Sequence, residues 1–183
     1  CYTSQPSIMR LLRDDIDILP RPQRLDGDDV GANELFRYAV EKVDSEVVLI
    51  CQVPGPFVKA ASIRDGIQGV LSGEFDCAFS VKKLQTYCWL DGAPMNYNPL
   101  NMKQTQELSP VYAETSGFYV FKKEDYLRSN SRINGKPFMV PVDVREAVDI
   151  DDPSDFKIAK VLLDYDPSKP VDHTQDPYLL NLA

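Results

Sequence analysis

The chain has 183 residues, 43% of them apolar, and a formal net charge of −8. That length and apolar share are enough for one domain of ordinary size with a core of its own. The acids are spread along the chain and no basic stripe interleaved with aromatics occurs, which argues against nucleic acid as the main partner. No apolar run reaches membrane-spanning length and there is no signal-peptide pattern, so no membrane partner is expected. Four cysteines (Cys1, Cys51, Cys77, Cys88) show no C-x-x-C pairing and lie far from the only histidine, His173. A zinc site is therefore not expected, and cysteines within apolar runs suit a reducing, cytoplasmic setting.

Cys1 opens the sequence inside what reads as a strand, Cys1–Ser4, so a processed product or a fragment is expected. A helix near Pro6–Arg13 and a short strand at Asp17–Leu19 follow, the latter ended by Pro20-Arg21-Pro22. From Asn33, the positions Leu35, Phe36, Ala39, Val40 and Val43 recur at helical spacing. Glu46–Cys51 is a continuous apolar run short enough for a buried parallel strand, and it enters the loop Gln52-Val53-Pro54-Gly55-Pro56. Ser62 reads as the cap of a helix to Leu71, and Asp76–Val81 as the next strand. Lys82–Pro110 differs in texture, with the only Trp, several Asn and Pro and an Asp91-Gly92 turn, so hairpins and loops are expected there. Strands are predicted at Gly117–Lys122, Phe138–Pro141 and Ala147–Ile150, with a short helix at Glu124–Arg128. An amphipathic helix over Pro153–Leu163 closes a domain spanning 1–164, and a Pro/Asp/Lys-rich tail, loosely held, occupies 165–183.

Alternating strands and helices indicate an open, mostly parallel, Rossmann-like α/β sheet. Ligands bind such sheets beyond the carboxyl ends of the strands, where Gln52, Ser80, Asp149 and Asp151 are expected. In Ala147–Phe156, Val148 and Ile150 alternate with Asp149 and Asp151, which puts both carboxylates on one side of a strand. Asp152 then reads as a helix N-cap, with Pro153 at the first helical position and Asp155 in the first turn. Two acids there suit Mg²⁺, which takes one or two carboxylates and completes its shell with water and substrate phosphates. A buried strand with solvent-facing acids before an ordinary cap accounts for the same pattern. No Walker loop, dinucleotide glycine fingerprint or G-x-S-x-G elbow occurs. His173 stands in the polar tail, a poor position for the base of a triad. Cys1 with its own α-amine as base, as in self-processed hydrolases, is a separate alternative.

The order of motifs resembles the cytidylyltransferases that activate acidic sugars, the CMP-sialic acid (acylneuraminate) and CMP-Kdo synthetase group. Arg21-Pro22 with Leu25 and Asp28 resembles that family's R-P-x-x-L-x-x-D segment. Val48–Gln52 resembles its apolar strand ending in glutamine, and Ser80-Val81 its S-V after the next strand. Gln106-Glu107-Leu108, Glu114–Tyr119 and Val148–Asp151 resemble its Q-[DE]-L-P, E-N-G-A-F-Y and D-I-D segments. The resemblance implies a nucleotide-diphospho-sugar-transferase-like fold and transfer of CMP from CTP to an acidic sugar, with release of pyrophosphate. It implies Mg²⁺ (or Mn²⁺) held by Asp149 and Asp151, Arg21 near the nucleotide, and Gln52, Ser80, Gln106 and Tyr119 near the sugar. It also implies a homodimer built through Lys82–Pro110.

Departures from the family pattern bear on activity. The family's first strand, its phosphate-cradling loop and the following helix have no counterpart, so the chain as given is expected to be inactive on CTP and to expose unpaired strand edges. Val53-Pro54-Gly55-Pro56 stands in place of P-T-S-P, Thr105 in place of an arginine before Gln106, and Thr115-Ser116 in place of N-G. A non-catalytic relative that binds a sugar or serves in dimerisation is the competing reading.

Overall fold

The computed structural model describes residues 1–165. The elements, in chain order, are β1 (Tyr2–Thr3), α1 (Pro6–Met9), β2 (Leu19–Pro20), α2 (Ala32–Lys42), β3 (Val47–Cys51), α3 (Ala60–Leu71) and β4 (Cys77–Leu84). A hairpin of β5 (Trp89–Leu90) and β6 (Ala93–Pro94) comes next, then β7 (Val111–Lys122), α4 (Lys123–Ser129), β8 (Pro137–Val142) and α5 (Pro153–Asp164). They fall into two compact units, Cys1–Asp149 and a second from Ile150 onward.

The main sheet of the first unit has the order β3-β7-β4-β8. β4 and β8 are parallel, and β7 is antiparallel to both β3 and β4, so three of the four strands run one way. β1 and β2 form a separate parallel pair. The expected mostly parallel α/β sheet is thus present. Side chains alternate across it with the period of two that a strand imposes. Tyr119 and Phe121 of β7 join Cys77, Phe79 and Val81 of β4 on one face, with Val40 of α2 and Tyr126 of α4. Phe118 and Val120 join Ala78 and Val140 on the other face, with Val70 of α3. Covering both faces is what allows Cys77–Val81 to be buried at every position. α3 comes close because of Gly66 and Gly69: a Cβ on Gly66 would lie 2.9 Å from the Phe118 ring, and one on Gly69 2.7 Å from that of Phe138.

β7 leaves β3 and follows β4 from Val81↔Glu114 to Leu84↔Val111, and the last two pairs, Lys83↔Tyr112 and Leu84↔Val111, outrun β8 as a two-stranded ribbon. The pairing shifts between Phe79 and Val81, where β7 carries extra residues and Ser116 takes a φ of 53°. This is a β-bulge, which bends a strand and re-aims its side chains. Beyond the ribbon, Asp91 (φ 48°) and Gly92 (φ 77°) make the β5–β6 turn. Two successive positive φ values are the type I′ geometry that suits a two-residue hairpin, as the Asp-Gly pair predicts.

Four expectations change. β3 is not a buried parallel strand: it ends the sheet, pairs antiparallel with β7 and leaves Leu49 and Cys51 exposed. α1 stops at Met9 rather than Arg13, although Arg10-Leu11-Leu12-Arg13 are good helix formers; the last turn closes with Leu11 N–H donating to the Ile8 carbonyl. Ser62 is not the cap of α3, because Lys59 is. Ala147–Ile150 is not a strand: Ala147 and Val148 donate to the carbonyls of Asp143 and Arg145 in a turn. Asp143 Oδ1 accepts the N–H groups of both Arg145 and Glu146 at 2.9 Å, which curls the chain before the Val/Asp alternation can extend. In the second unit, Asp152 caps α5 as expected. Its carboxylate accepts from the N–H of Ser154 and Asp155, and Asp155 returns the bond to the Asp152 N–H.

Truncating Phe118 should cost about 3–5 kcal/mol, because it removes a fully buried ring between β7 and α3. The expected readout is a lower urea midpoint for Phe118→Ala with an unchanged slope.

Candidate functional site

Arg21 leaves the carboxyl end of β2, Ser4 that of β1 and Gln52 that of β3. Arg21 donates from Nε to Asp26 Oδ1 at 2.6 Å and from Nη2 to Ser4 Oγ at 3.2 Å, and Ser4 Oγ–H donates to the same Asp26 oxygen at 2.9 Å. The Arg21–Asp26 pair is about three-quarters buried. Asp26, not the Asp28 of the sequence motif, is therefore the acid that orients this guanidinium. Arg21 and Gln52 line one cleft of about 560 Å³, together with Tyr2, Leu19, Leu49 and Cys51. Burial pushes the Cys51 thiol and the Tyr2 phenol above their ordinary pKa values.

The cleft is bounded by the outer edge of β3, which among the described residues has no further strand beside it. At the two ends of the β3–β7 ladder Gln52 N–H donates to Gly117 and Lys123 N–H to Glu46. Residues facing β7 alternate with residues facing outward in such a ladder. Val48 and Ile50 therefore bond to β7, and the N–H and C=O groups of Val47, Leu49 and Cys51 turn outward.

The other sequence candidates scatter. Ser80, 2% exposed, accepts from the Phe118 N–H at 3.1 Å and pairs with the Thr115 hydroxyl at 2.7 Å, so its oxygen clasps the bulge. Tyr119 is 1% exposed. Its hydroxyl donates to Glu114 at 2.9 Å, and the Arg132 guanidinium lies 4.1 Å from its ring centroid. Burial first, and the Glu114 hydrogen bond second, raise its pKa. Gln106 is exposed in a short 3-10 turn and bonds to Gln104 at 2.6 Å. Asp149 is half-buried at the end of the first unit, and Asp151 is exposed in the second with its backbone N–H held by Asp155. Among the described residues no cluster of three or more His, Cys, Asp or Glu side chains is gathered in a metal-binding arrangement.

A further group gave no sequence signal. Lys59, Asp143 and Glu146 meet across 84 and 87 residues of chain. Glu146 is 4% exposed; its Oε2 accepts the Lys59 N–H at 2.9 Å and the Ser62 Oγ–H at 2.7 Å, and its Oε1 lies 3.3 Å from Lys59 Nζ. The Lys59 ammonium also bonds to Asp143. That bond first, and the Glu146 N–H second, hold the Asp143 carboxyl below the usual carboxylate range, and the same bond with the Glu146 carboxylate raises the lysine.

No protein-family model matches the chain, and no curated protein matches it significantly. Its similarity is to solved structures, and it defines a class of fold: the nucleotide-diphospho-sugar-transferase-like α/β fold with a mostly parallel sheet. One such structure is the bifunctional IspDF from Campylobacter jejuni, with a TM-score of 0.58 at 15% identity over 85% of this chain and 40% of that one. Another is 4-diphosphocytidyl-2C-methyl-D-erythritol synthase from Anaerococcus prevotii, with a TM-score of 0.58 at 15% identity over 87% of this chain and 72% of that one. The chain thus spans two-fifths of the length of the first and under three-quarters of the second.

The Lys59–Asp143 pair carries a pH signature. A depressed Asp143 stabilises the fold above its unfolded pKa of about 3.9 and stops doing so as pH falls through the folded value. A raised Lys59 contributes below about 10.4 and is lost as pH climbs through its folded value. Lys59→Met should therefore lower the melting temperature most between about pH 5 and 9, and the gap to wild type should close towards pH 3. A gap that stays constant down to pH 3 would assign the loss to packing instead.

Proposed function

We propose that the protein is a cytidylyltransferase that transfers CMP from CTP to an acidic sugar of the sialic (nonulosonic) acid or Kdo type, releasing pyrophosphate. The observation that carries this reading is the meeting of Arg21 and Gln52 in one cleft at the carboxyl ends of β2 and β3, where sheets of this class take ligands. The likeness in fold to a protein named for a diphosphocytidyl product supports the nucleotide half of the reading. The sugar half rests on the resemblance of the Gln52, Gln106 and D-I-D segments.

In this reading Arg21, braced by Asp26 and Ser4, presents its remaining donors to a phosphate or ribose oxygen. Gln52 contributes an amide that both donates and accepts beside the sugar. Ser80 and Tyr119 act from beneath: one clasps the bulge on which the loop of Gln52 rests, and the other fills the core under it. Asp149 and Asp151 offer hard oxygen donors of the kind Mg²⁺ or Mn²⁺ takes, and two carboxylates are as many as Mg²⁺ commonly accepts from protein. A divalent cation held there would offset charge on the triphosphate as the sugar hydroxyl attacks the α-phosphate.

A second copy of the chain is the proposed partner. Trp89, Leu90, Leu100 and Met102, all in the 82–110 segment, are more than half exposed, an apolar set suited to an interface core. Trp89→Glu is expected to shift the protein from dimer to monomer in light scattering.

The direct test is pyrophosphate release from CTP and Mg²⁺ across a panel of acidic sugars, with the protein as its gene encodes it. Release with one sugar is expected, falling by about 100-fold or more in Asp149→Ala and in Asp151→Ala. A folded protein that releases none with any sugar would leave a sugar-binding or scaffold role.

A further inference from the structure

We propose that Glu146 is a positioning residue that locks the loop beyond β3 to the turn leading into Asp149, so that the sugar side and the cation side of the site are set by one carboxylate. The proposal rests on the functional reading above.

Lys59 closes the loop that begins at Gln52, and it caps α3. Glu146 lies three residues before Asp149, and its carboxylate takes three donors from the α3 side: the Lys59 N–H, the Ser62 hydroxyl and the Lys59 ammonium. A buried carboxylate is tolerated only with such partners, and one at a helix N-terminus is further favoured by the helix dipole. From below, Asp143 fixes the same residue by accepting the Glu146 N–H at 2.9 Å, while its other oxygen meets the Lys59 ammonium. A separate contact joins the same two segments, since the Arg145 guanidinium lies 5.0 Å from the Phe57 ring centroid. The loop's other side is fixed by its approach to the bulge, where a Cβ on Gly55 would stand 3.0 Å from the Gly117 Cα. With one segment pinned between bulge and α3, Glu146 transmits that fixed position to the turn before Asp149. Partners that orient a ligating group without touching the ion characteristically change its affinity 10- to 100-fold.

The test uses Mn²⁺ titrated in the presence of CTP and followed by electron paramagnetic resonance, together with KM for the sugar, well below each variant's melting temperature. Glu146→Ala should weaken Mn²⁺ about ten-fold and raise KM for the sugar together with it. Glu146→Gln, whose amide oxygen can still accept from Lys59 and Ser62, should stay within about three-fold. Ser62→Ala removes one donor and leaves the buried carboxylate partnered, so it keeps the test open if Glu146→Ala does not fold; it should weaken Mn²⁺ about three-fold. Wild-type Mn²⁺ affinity and KM in folded Glu146→Ala or Ser62→Ala would overturn the positioning role. A wild-type protein that binds no Mn²⁺ with CTP would overturn the functional reading itself, and the inference with it.

Discussion

β7 is hydrogen-bonded along both edges, to β3 on one side and to β4 on the other, and each of the two cores lies against one of its faces. Phe118, Tyr119, Val120 and Phe121 are all essentially inaccessible. Four consecutive residues can be buried only if the strand is covered above and below, so α3 must lie on one face and α2 with α4 on the other. The placement of the helices in the first unit thus follows from the demand of one strand. A polar or truncated residue in this run would expose or hollow one of the two layers.

The same strand cannot run straight for twelve residues and also serve both neighbours. Its bulge resolves the conflict: the half from Phe118 onward lies between β3 and β4, and the half up to Glu114 leaves β3 and follows β4 alone. Ser80 makes the break affordable by supplying an oxygen to the Phe118 N–H, a backbone group the shifted register would otherwise strand. Gly117, bare of a side chain between Val58 and Ser80, lets the loop from Gln52 lie close against the bulge. Loop position, and with it the floor of the cleft, is thereby tied to a defect in the strand.

Much of this was legible in the chain. Val47–Cys51 and Phe118–Phe121 announce themselves by unbroken apolar character, α2 by its Leu35-Phe36-Ala39-Val40-Val43 spacing, and the hairpin by Asp91-Gly92. The capping box at Asp152 is local, and local chemistry reads well. What did not read was non-local. Ser80 and Glu114–Tyr119 carry the right residues for a binding motif, yet their hydrogen bonds are made to each other across the bulge. Val148–Asp151 has perfect strand alternation, but Asp143 turns the chain just before it by accepting the Arg145 and Glu146 N–H groups, and Lys59 and Ser62, more than eighty residues away, hold that turn in place; periodicity contains no information about either set of partners.

The β1–β2 pair shares no backbone ladder with the four-stranded sheet among the described residues. It leans on the rest through side chains, such as the Tyr2–Tyr38 stack at 6.1 Å. Segments joined only by side chains open at lower free energy than segments joined by a ladder. The amides of Cys1–Asp26 should accordingly exchange with solvent as one cooperative group, well before those of β4 and β7. Arg21 travels with that group and Gln52 stays behind, so the two walls of the cleft belong to parts of the molecule with different lifetimes. Any ligand touching both walls adds its binding free energy to the weaker one: occupancy and the closure of this corner are a single equilibrium.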